Sequence, residues 1–321
     1  MTSPEIPSAP SAGPFDGLRT LLRAGKGPQV PKGGPPGSLR EMRSEKHPAN
    51  RHWARVSLVF LALALSLFVL IPFFWVSVTA VKTTSDMTAH PLGLPQVWHW
   101  ENFAQAVQQA HLLRLFRNSV IVVVPVVLAC LVLSTLAGYA FAKMTWRGKE
   151  FWFIVFLLGL AIPTTVLIVP LYFELNALHL TGSLWGLILV ESAGTLPFGV
   201  LLMRGFIADI SDEIIDASRI DGCTSLGTLW YIVAPLTKPA LLTLLIFNFM
   251  WSWNAYLLPL VLVQKQSLQT LPLGLQVFAG RWITNYPLIM AATIISIFPI
   301  VVVYVIFQRQ FIQGLSAGAF K

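Results

Sequence analysis

The chain has 321 residues, of which 55% are hydrophobic and only 11% are charged, and its mean hydropathy is +0.69. Soluble domains carry about 25% charged residues, so the composition excludes an ordinary soluble protein and predicts a polytopic membrane protein. The net charge of +8 does not indicate nucleic acid, because the basic residues are distributed as a membrane topology signal. Cys130 and Cys223 lie in an apolar segment and a charged loop, so a disulfide framework is not supported.

The first 54 residues are rich in Pro, Gly and Ser and show no periodic apolar pattern. This composition is typical of disorder, so we predict a disordered basic cytoplasmic tail over residues 1–54. The membrane domain is predicted over residues 55–321.

Six segments are apolar over about the 20 residues that a bilayer-spanning helix needs. They are residues 56–80, 118–142, 151–173, 184–206, 236–263 and 287–308. Backbone groups cannot remain unpaired in lipid, so the predicted fold class is an all-α integral membrane protein with six transmembrane helices. Proline is expected to kink or break these helices at Pro72, Pro125, Pro163, Pro170, Pro197 and Pro299.

The positions of Lys and Arg predict the orientation, since cytoplasmic segments carry the excess of positive charge. With a cytoplasmic N-terminus, 17 of the 22 basic residues fall inside. The five outside are Lys82, Arg114, Arg117, Lys265 and Arg281. Both termini, and the loop between spans four and five, are therefore expected in the cytoplasm.

That loop contains a charged stretch, residues 211–239, which precedes the return to the membrane. Ser211 is expected to cap a short helix whose first turn is acidic. Ile214, Ala217 and Ser218 are predicted to share a narrow face, and Gly222 to end the helix in a left-handed conformation. A short amphipathic helix of this kind suits a groove on a partner protein.

The same stretch resembles the cytoplasmic loop of importer permeases of the ATP-binding-cassette (ABC) class. Their pattern is Glu-Ala-Ala, three residues, Gly, nine residues, then Ile-x-Leu-Pro. Here it runs Asp216-Ala217-Ser218, then Gly222, then Ile232-Val233-Ala234-Pro235, with every spacing kept and three mild substitutions. Arg219-Ile220-Asp221-Gly222 is most similar to the carbohydrate branch.

The resemblance covers about residues 55–321 and extends to the smaller, six-span permease of maltose-type importers. Gly138 to Lys143, Trp251 to Asn254 and the C-terminal run from Gln308 to Ala319 all look like parts of that family. It implies a transport subunit, not an enzyme, of a binding-protein-dependent sugar importer in a bacterial or archaeal plasma membrane. The partners implied are a second permease, two ATPase subunits and an extracytoplasmic sugar-binding protein.

The resemblance also assigns a coupling helix between spans four and five that docks on the ATPase. The residues assigned to ATPase coupling are Glu213, Asp216, Ala217, Ser218, Arg219, Asp221, Gly222, Ile232 and Pro235. Ala217 and Ser218 are expected in the ATPase groove, and Pro235 at the start of the return helix. The chain contains no phosphate-binding Gly-x-x-x-x-Gly-Lys-Ser/Thr loop. ATP and Mg²⁺ are therefore expected in the partner ATPase, with no cofactor bound directly.

Four polar or aromatic residues within spans are candidates for the substrate pathway. Asn248, Trp251 and Asn254 are spaced by three in span five, and amides with an indole face suit a sugar. Helix packing is the alternative role for such residues. Glu191, an acidic residue deep in span four, either accepts hydrogen bonds from sugar hydroxyls or pairs with another span.

Two other functions are alternatives to a sugar importer. A permease for another solute, such as an amino acid or phosphate, would share the coupling loop. A secondary transporter driven by an ion gradient would be expected to carry more paired charges within the membrane.

Overall fold

The computed structural model describes residues 48–279 and 284–319, with side chains described for residues 55–279 and 284–308. Within this part of the chain all regular elements are helical, and the one pairing of extended residues is an isolated bridge between Ala279 and Thr284. The all-α prediction is therefore confirmed. The chain divides into two compact units, Met1–Ser66 and Leu67–Lys321, with the boundary inside the first helix.

Fourteen α-helices follow one another in the described ranges. They are α1 (Pro48–Ala80), α2 (Thr84–Ala89), α3 (Glu101–Gln109), α4 (Leu112–Lys143), α5 (Lys149–Ala161), α6 (Thr164–Ala177), α7 (Leu184–Ala208), α8 (Asp212–Ile220), α9 (Ser225–Thr228), α10 (Ala234–Leu236), α11 (Lys238–Trp253), α12 (Leu257–Leu262), α13 (Leu271–Gly274) and α14 (Tyr286–Ala319). A π-helical turn, Leu229–Val233, joins α9 to α10, and 3₁₀ turns lie at Gln266–Leu268 and Leu275–Phe278. Most of the predicted tail lies outside the described residues, although residues 48–54 already belong to α1.

Four helices are long and apolar enough to cross a membrane on their own: Arg55–Ala80 of α1, α4, α7 and Tyr286–Gln308 of α14. Two further candidates are bent pairs, Lys149–Ala161 with Thr164–Ala177 and Ser225–Leu236 with Lys238–Trp253. By length and composition, the described chain thus has four candidate spans, or up to six if each bent pair is one span. The segment predicted as span five, residues 236–263, is divided in the structure between α11 and α12.

Proline breaks one of the predicted spans. α5 and α6 meet at 100°, and the residues between them are Ile162 and Pro163. The missing N–H and fixed φ of Pro163 explain why the helix does not continue. The other five prolines of the prediction lie inside α1, α4, α6, α7 and α14 without ending them.

Close contact between α4 and α7 depends on glycine. A Cβ atom at Gly199 of α7 would lie 2.1 Å from the Oγ of Ser134 on α4. A Cβ atom at Gly138 of α4 would lie 2.7 Å from the Cβ of Met203 on α7. Small residues at such positions let two membrane helices approach closely, so any larger side chain would force these helices apart.

One hydrophobic core lies at the end of α4 and α7 that leads to α8. It consists of Cys130, Tyr139, Met203, Ile207, Ile215, Leu229, Val233, Ala240 and Leu244. Ile215 is the contribution of α8, so this short helix is packed into the same core as the candidate spans α4, α7 and α11.

Candidate functional site

Helix α8 forms where the charged stretch was predicted to be helical. Asp212 and Glu213 occupy its first turn, where carboxylates are favoured by the positive end of the helix dipole. Ser211 takes the N-cap position with extended backbone angles, but its side chain makes no capping hydrogen bond. The predicted position of the cap is therefore confirmed, whereas capping by the serine hydroxyl is wrong.

The C-terminal end of α8 is closed by Gly222 in the left-handed region, with φ of +84°. The Gly222 N–H donates to the Arg219 carbonyl at 3.1 Å, and the Cys223 N–H donates to the Ser218 carbonyl at 2.9 Å. These two bonds form a Schellman motif, which satisfies carbonyls that the helix leaves free. The predicted stop at Gly222 is confirmed.

The inner face of α8 is held by one apolar and one polar contact. Ile215 and Ser218 are each only 2% exposed. The Ser218 hydroxyl donates to the Ile215 carbonyl at 2.6 Å and lies 2.8 Å from the Oγ1 of Thr228 on α9. The predicted common face of Ile214, Ala217 and Ser218 is wrong, because Ser218 is buried within the chain while the other two are exposed. Ser218 is therefore turned away from any partner surface.

Lys143 anchors the N-terminal end of α8, a role that the sequence analysis did not recognise. Its Nζ donates to the Ile210 carbonyl at 2.5 Å, to the Asp212 Oδ1 at 2.6 Å and to the Ala208 carbonyl at 3.4 Å. The bond from Lys143 and its positive charge lower the pKa of the Asp212 carboxyl. The sequence shows a lysine at the end of span two and an acidic start of α8, but their separation of 69 residues leaves no local pattern that pairs the two.

The outer face of α8 mixes charge with exposed apolar surface. Seven of the nine residues assigned to coupling are exposed: Glu213, Asp216, Ala217, Arg219 and Asp221 in or directly after α8, and Gly222 and Pro235 beyond it. Arg219 donates to Asp216 at 2.9 Å, an exposed pair of the kind that contributes little stability. Ile214, which was predicted on the docking face, is exposed as well, and so are four apolar residues that the prediction missed: Ile220, Leu226, Trp230 and Tyr231. Ile220 and Tyr231 are 86% and 80% exposed, so the loop presents an apolar surface unusual for a solvated segment.

The return from α8 to the bundle differs from the prediction. Helical structure already begins at Ser225, so the expectation that Pro235 starts the return helix is wrong. Ile232 lies in the π-helical turn and is half-buried, and Pro235 lies in α10 and is exposed. The chain then bends by 80° before α11, next to Pro239, whose missing N–H cannot continue the ladder.

Two cavities flank α11 on the face that carries the predicted pathway residues. The smaller, of about 280 Å³, is lined by Leu160, Gly194, Thr195, Phe198, Phe247, Asn248 and Trp251. The larger, of about 650 Å³, is lined by Thr164, Thr165, Ile168, Phe247, Met250, Trp251, Asn254, Ala255, Tyr256, Leu257 and Leu258. Trp251 borders both cavities and is 67% exposed. The structure therefore brings Asn248, Trp251 and Asn254 together on one side of α11, with Asn254 at its C-cap.

Each of the two asparagines directs one amide N–H to the helix backbone. Asn248 Nδ2 donates to the Leu244 carbonyl, and Asn254 Nδ2 donates to the Met250 carbonyl, each at 2.8 Å. The amide oxygens are the acceptors left for a ligand in the neighbouring cavity.

Glu191 is placed apart from these residues. It is 3% exposed, lines neither cavity, and its Oε2 accepts a hydrogen bond from the Ser252 hydroxyl. This bond joins α7 to α11 inside the bundle. In the described parts of the chain, no group of three or more His, Cys, Asp or Glu side chains is arranged to hold a metal ion.

Comparison with known proteins identifies the class to which this fold and loop belong. Residues 131–317 match the family described as "Binding-protein-dependent transport system inner membrane component". The chain belongs to this family.

Individual relatives cover most of the chain. It is 33% identical over 269 residues to the "Probable ABC transporter permease protein YurM" of Bacillus subtilis, which covers 84% of this chain and 87% of that protein. It is 31% identical over 275 residues to the "Diacetylchitobiose uptake system permease protein NgcG" of Streptomyces coelicolor, covering 85% and 91%. These relatives are transport permease proteins and not enzymes.

A solved structure shares the fold. A chain of a bacterial ABC transporter, described as involved in the import of the acidic polysaccharide alginate, matches with a TM-score of 0.70 and 23% identity, covering 82% of this chain and 98% of that one. A chain of the alginate transporter in complex with a pentasaccharide-bound periplasmic protein matches with a TM-score of 0.59 and 13% identity. At these identities the similarity concerns the fold.

Proposed function

We propose that this chain is a permease subunit of an ATP-driven, binding-protein-dependent carbohydrate importer. Relatives named for oligosaccharide uptake support a carbohydrate as the solute: NgcG and DasC of Streptomyces coelicolor are named for diacetylchitobiose, and AraQ of Bacillus subtilis for arabinooligosaccharides. The observation that carries the proposal is α8, a short helix fixed to the bundle on one face and exposed on the other.

In this proposal α8 is the coupling helix that docks on an ATPase subunit. Glu213, Asp216 and Arg219 offer exposed polar contacts, and Ala217 and Asp221 are exposed beside them. The apolar residues Ile214 and Ile220 supply contact area that the charged residues lack. Ser218 and Gly222 contribute by shaping α8, since one holds its inner face and the other closes its end.

The return segment is proposed to transmit the movement. Ile232 lies in the π-helical turn and Pro235 close to the 80° bend, so both connect α8 to the candidate pathway helix α11. π-Helical turns occur frequently at functional sites. ATP and Mg²⁺ belong to the partner: binding of ATP closes the ATPase pair, shifts α8, and turns the spans from inward-open to outward-open.

The sugar pathway is proposed along the two cavities beside α11. Trp251 offers an indole face to the apolar side of a sugar ring, and Asn248 and Asn254 offer amide oxygens to its hydroxyls. Trp251 and Phe247 both border the two cavities, and Trp251 is the central residue in this proposal because it is the more exposed of the two, at 67% against 37%. Glu191 supports the pathway indirectly, through its bond to Ser252 on the same helix.

The proposed assembly contains this chain, a second permease, two ATPase subunits and an extracytoplasmic sugar-binding protein. We propose six spans, with each bent pair crossing once and with both termini in the cytoplasm, since that orientation puts 17 of 22 basic residues inside. This topology presents α8 to the cytoplasm, where an ATPase would bind.

Isolation of the complex tests the proposal. The chain, tagged at its C-terminus, is purified from its native cells in a mild detergent, and its companions are identified by mass spectrometry. We expect an ATPase and a second permease, and ATP-dependent sugar uptake after reconstitution with the binding protein. A chain that is recovered alone and transports in vesicles without ATP would refute the coupling role of α8.

A further inference from the structure

The last residue of α4 joins three elements through one ammonium group. Lys143 Nζ reaches Ala208 at the end of α7, Ile210 in the connection and Asp212 in the first turn of α8. An ammonium has three N–H donors, and here each has an acceptor. The Lys143 side chain is 8% exposed, whereas that of Asp212 is 82% exposed. The cation is therefore the buried partner, and its contacts offset the loss of water.

The chemistry of the acceptors suits a fixed cation. Ala208 and Ile210 carry carbonyls at and beyond the C-terminal end of α7, where a helix leaves carbonyls free and its dipole is negative. Asp212 lies at the opposite, positive end of α8. The positive charge of Lys143 thus balances the partial negative charge at the end of α7 and the carboxylate of Asp212. Hydrogen bonds that involve a charged group are stronger than those between neutral groups.

We propose that Lys143 is a positioning residue that makes α8 and the end of α4 move together, so that displacement of the coupling helix reaches the second span. The proposal rests on the proposed function of α8. Lys143 lines neither of the two cavities beside α11, and in this proposal it acts through α8. Without it, Ile215 and Ser218 would still hold the inner face of α8, but its N-terminal end would lose the bonds to α4.

A second ion pair in the same half of the bundle provides a matched control. Arg204 of α7 donates to both carboxylate oxygens of Glu150 on α5 at 2.7 Å, and neither residue touches α8 in these contacts. Glu150→Gln therefore weakens an ion pair between helices without altering the start of α8.

The test compares sugar transported per ATP hydrolysed in the whole reconstituted complex, for wild type and for Lys143→Met, Lys143→Arg, Asp212→Asn and Glu150→Gln. In Lys143→Met we expect assembly and ATP hydrolysis within about twofold of wild type, but about tenfold less sugar per ATP, because three bonds to a charge are lost. Asp212→Asn keeps both carbonyl contacts, so we expect only about a threefold loss. Lys143→Arg should recover part of the ratio, and Glu150→Gln should leave it unchanged.

The outcomes separate this proposal from the proposed function. If the wild-type chain recruits no ATPase, both are overturned. If the wild-type complex transports but Lys143→Met lowers hydrolysis and uptake in parallel, Lys143 has only a structural role and the positioning proposal fails. If Lys143→Met does not assemble, Asp212→Asn decides, and an unchanged ratio in that variant overturns the proposal.

Discussion

Replacement of Gly222 by valine should separate transport from membrane assembly. Gly222 has φ of +84° and provides the residue after the last turn of α8, where the Schellman bonds to Arg219 and Ser218 form. A valine at this position must either adopt a left-handed conformation or open the turn. Because Gly222 lies between helices and outside the candidate spans, insertion into the membrane should be unaffected.

The magnitude follows from the backbone alone. A Cβ atom at Gly222 would meet no atom within 4 Å, so the substitution adds no collision. A left-handed conformation costs an L-residue about 1–2 kcal/mol, and a β-branched one is less tolerant still. A change of that size alters a population ratio by a factor of about 5–30. We therefore expect ATP-dependent uptake to fall by about that factor.

The assay is sugar uptake into proteoliposomes that contain the reconstituted complex, with the amount of bound ATPase measured in parallel. Gly222→Asn is the first control, since asparagine accepts the left-handed region, and it should stay within about twofold of wild type. Gly182→Val is the matched second control. Gly182 has φ of +68° and an equally open Cβ position, but it lies before α7, far along the chain from α8.

Two results would refute this reasoning. Normal uptake by Gly222→Val would show that the shape of the turn does not matter for coupling. Equal losses of uptake in Gly222→Val and Gly182→Val would show that strain in any turn has the same effect. The turn after α8 would then have no special role in transport.

Three further predictions concern the pathway and the anchoring of α8. With the binding protein saturated by sugar, Trp251→Ala should lower the maximal rate of uptake by about tenfold, and Trp251→Phe should stay closer to wild type; equal maximal rates for all three proteins would remove Trp251 from the pathway. Glu191→Gln keeps an acceptor for the Ser252 hydroxyl and should transport normally. Glu191→Ala leaves that buried hydroxyl unpaired, so it should lower the free energy of unfolding of the purified chain by about 1–3 kcal/mol. A stable Glu191→Ala chain with weak uptake would instead favour contact between Glu191 and sugar. The bond to Lys143 lowers the pKa of Asp212, so its stabilising contribution is complete above the ordinary value of about 3.9 and is lost as the pH falls through the lowered value. The difference between wild type and Asp212→Asn in sugar per ATP should therefore be constant from about pH 5 to 8, and a midpoint near neutrality would contradict it.

The helical segments could be predicted because each depends on a local property. Four of the six predicted spans, residues 56–80, 118–142, 184–206 and 287–308, lie within single helices, since about 20 apolar residues are sufficient to define them. The division of spans three and five could not be predicted in the same way. A proline inside an apolar run ends the helix at Pro163 but not at Pro197, and the difference depends on the packing of neighbouring helices.

The charged loop that contains α8 shows a similar limit. The left-handed Gly222 and the acidic first turn of α8 follow from residue chemistry and were predicted. The orientation of α8 was predicted wrongly, with Ser218 on the exposed face, because a spacing of three and four fits several adjacent faces of a nine-residue helix. Ser218 faces inward beside the buried Ile215, where it meets Thr228, ten residues further along the chain. Lys143, 69 residues before Asp212, lies beyond any local pattern.

The anchoring of α8 determines what a partner could move. Ile215 packs into a core shared with α4, α7 and α11, so burial of one side chain attaches the helix to three others. Lys143 fixes its start and the Schellman motif fixes its end. Interiors packed in this way resist small deformations and transmit strain to their neighbours. A force applied to the exposed face of α8 would therefore displace the ends of α4 and α7 with it. The 80° bend between α10 and α11 then offers the most direct place for such a displacement to change the angle of the helix that carries Trp251.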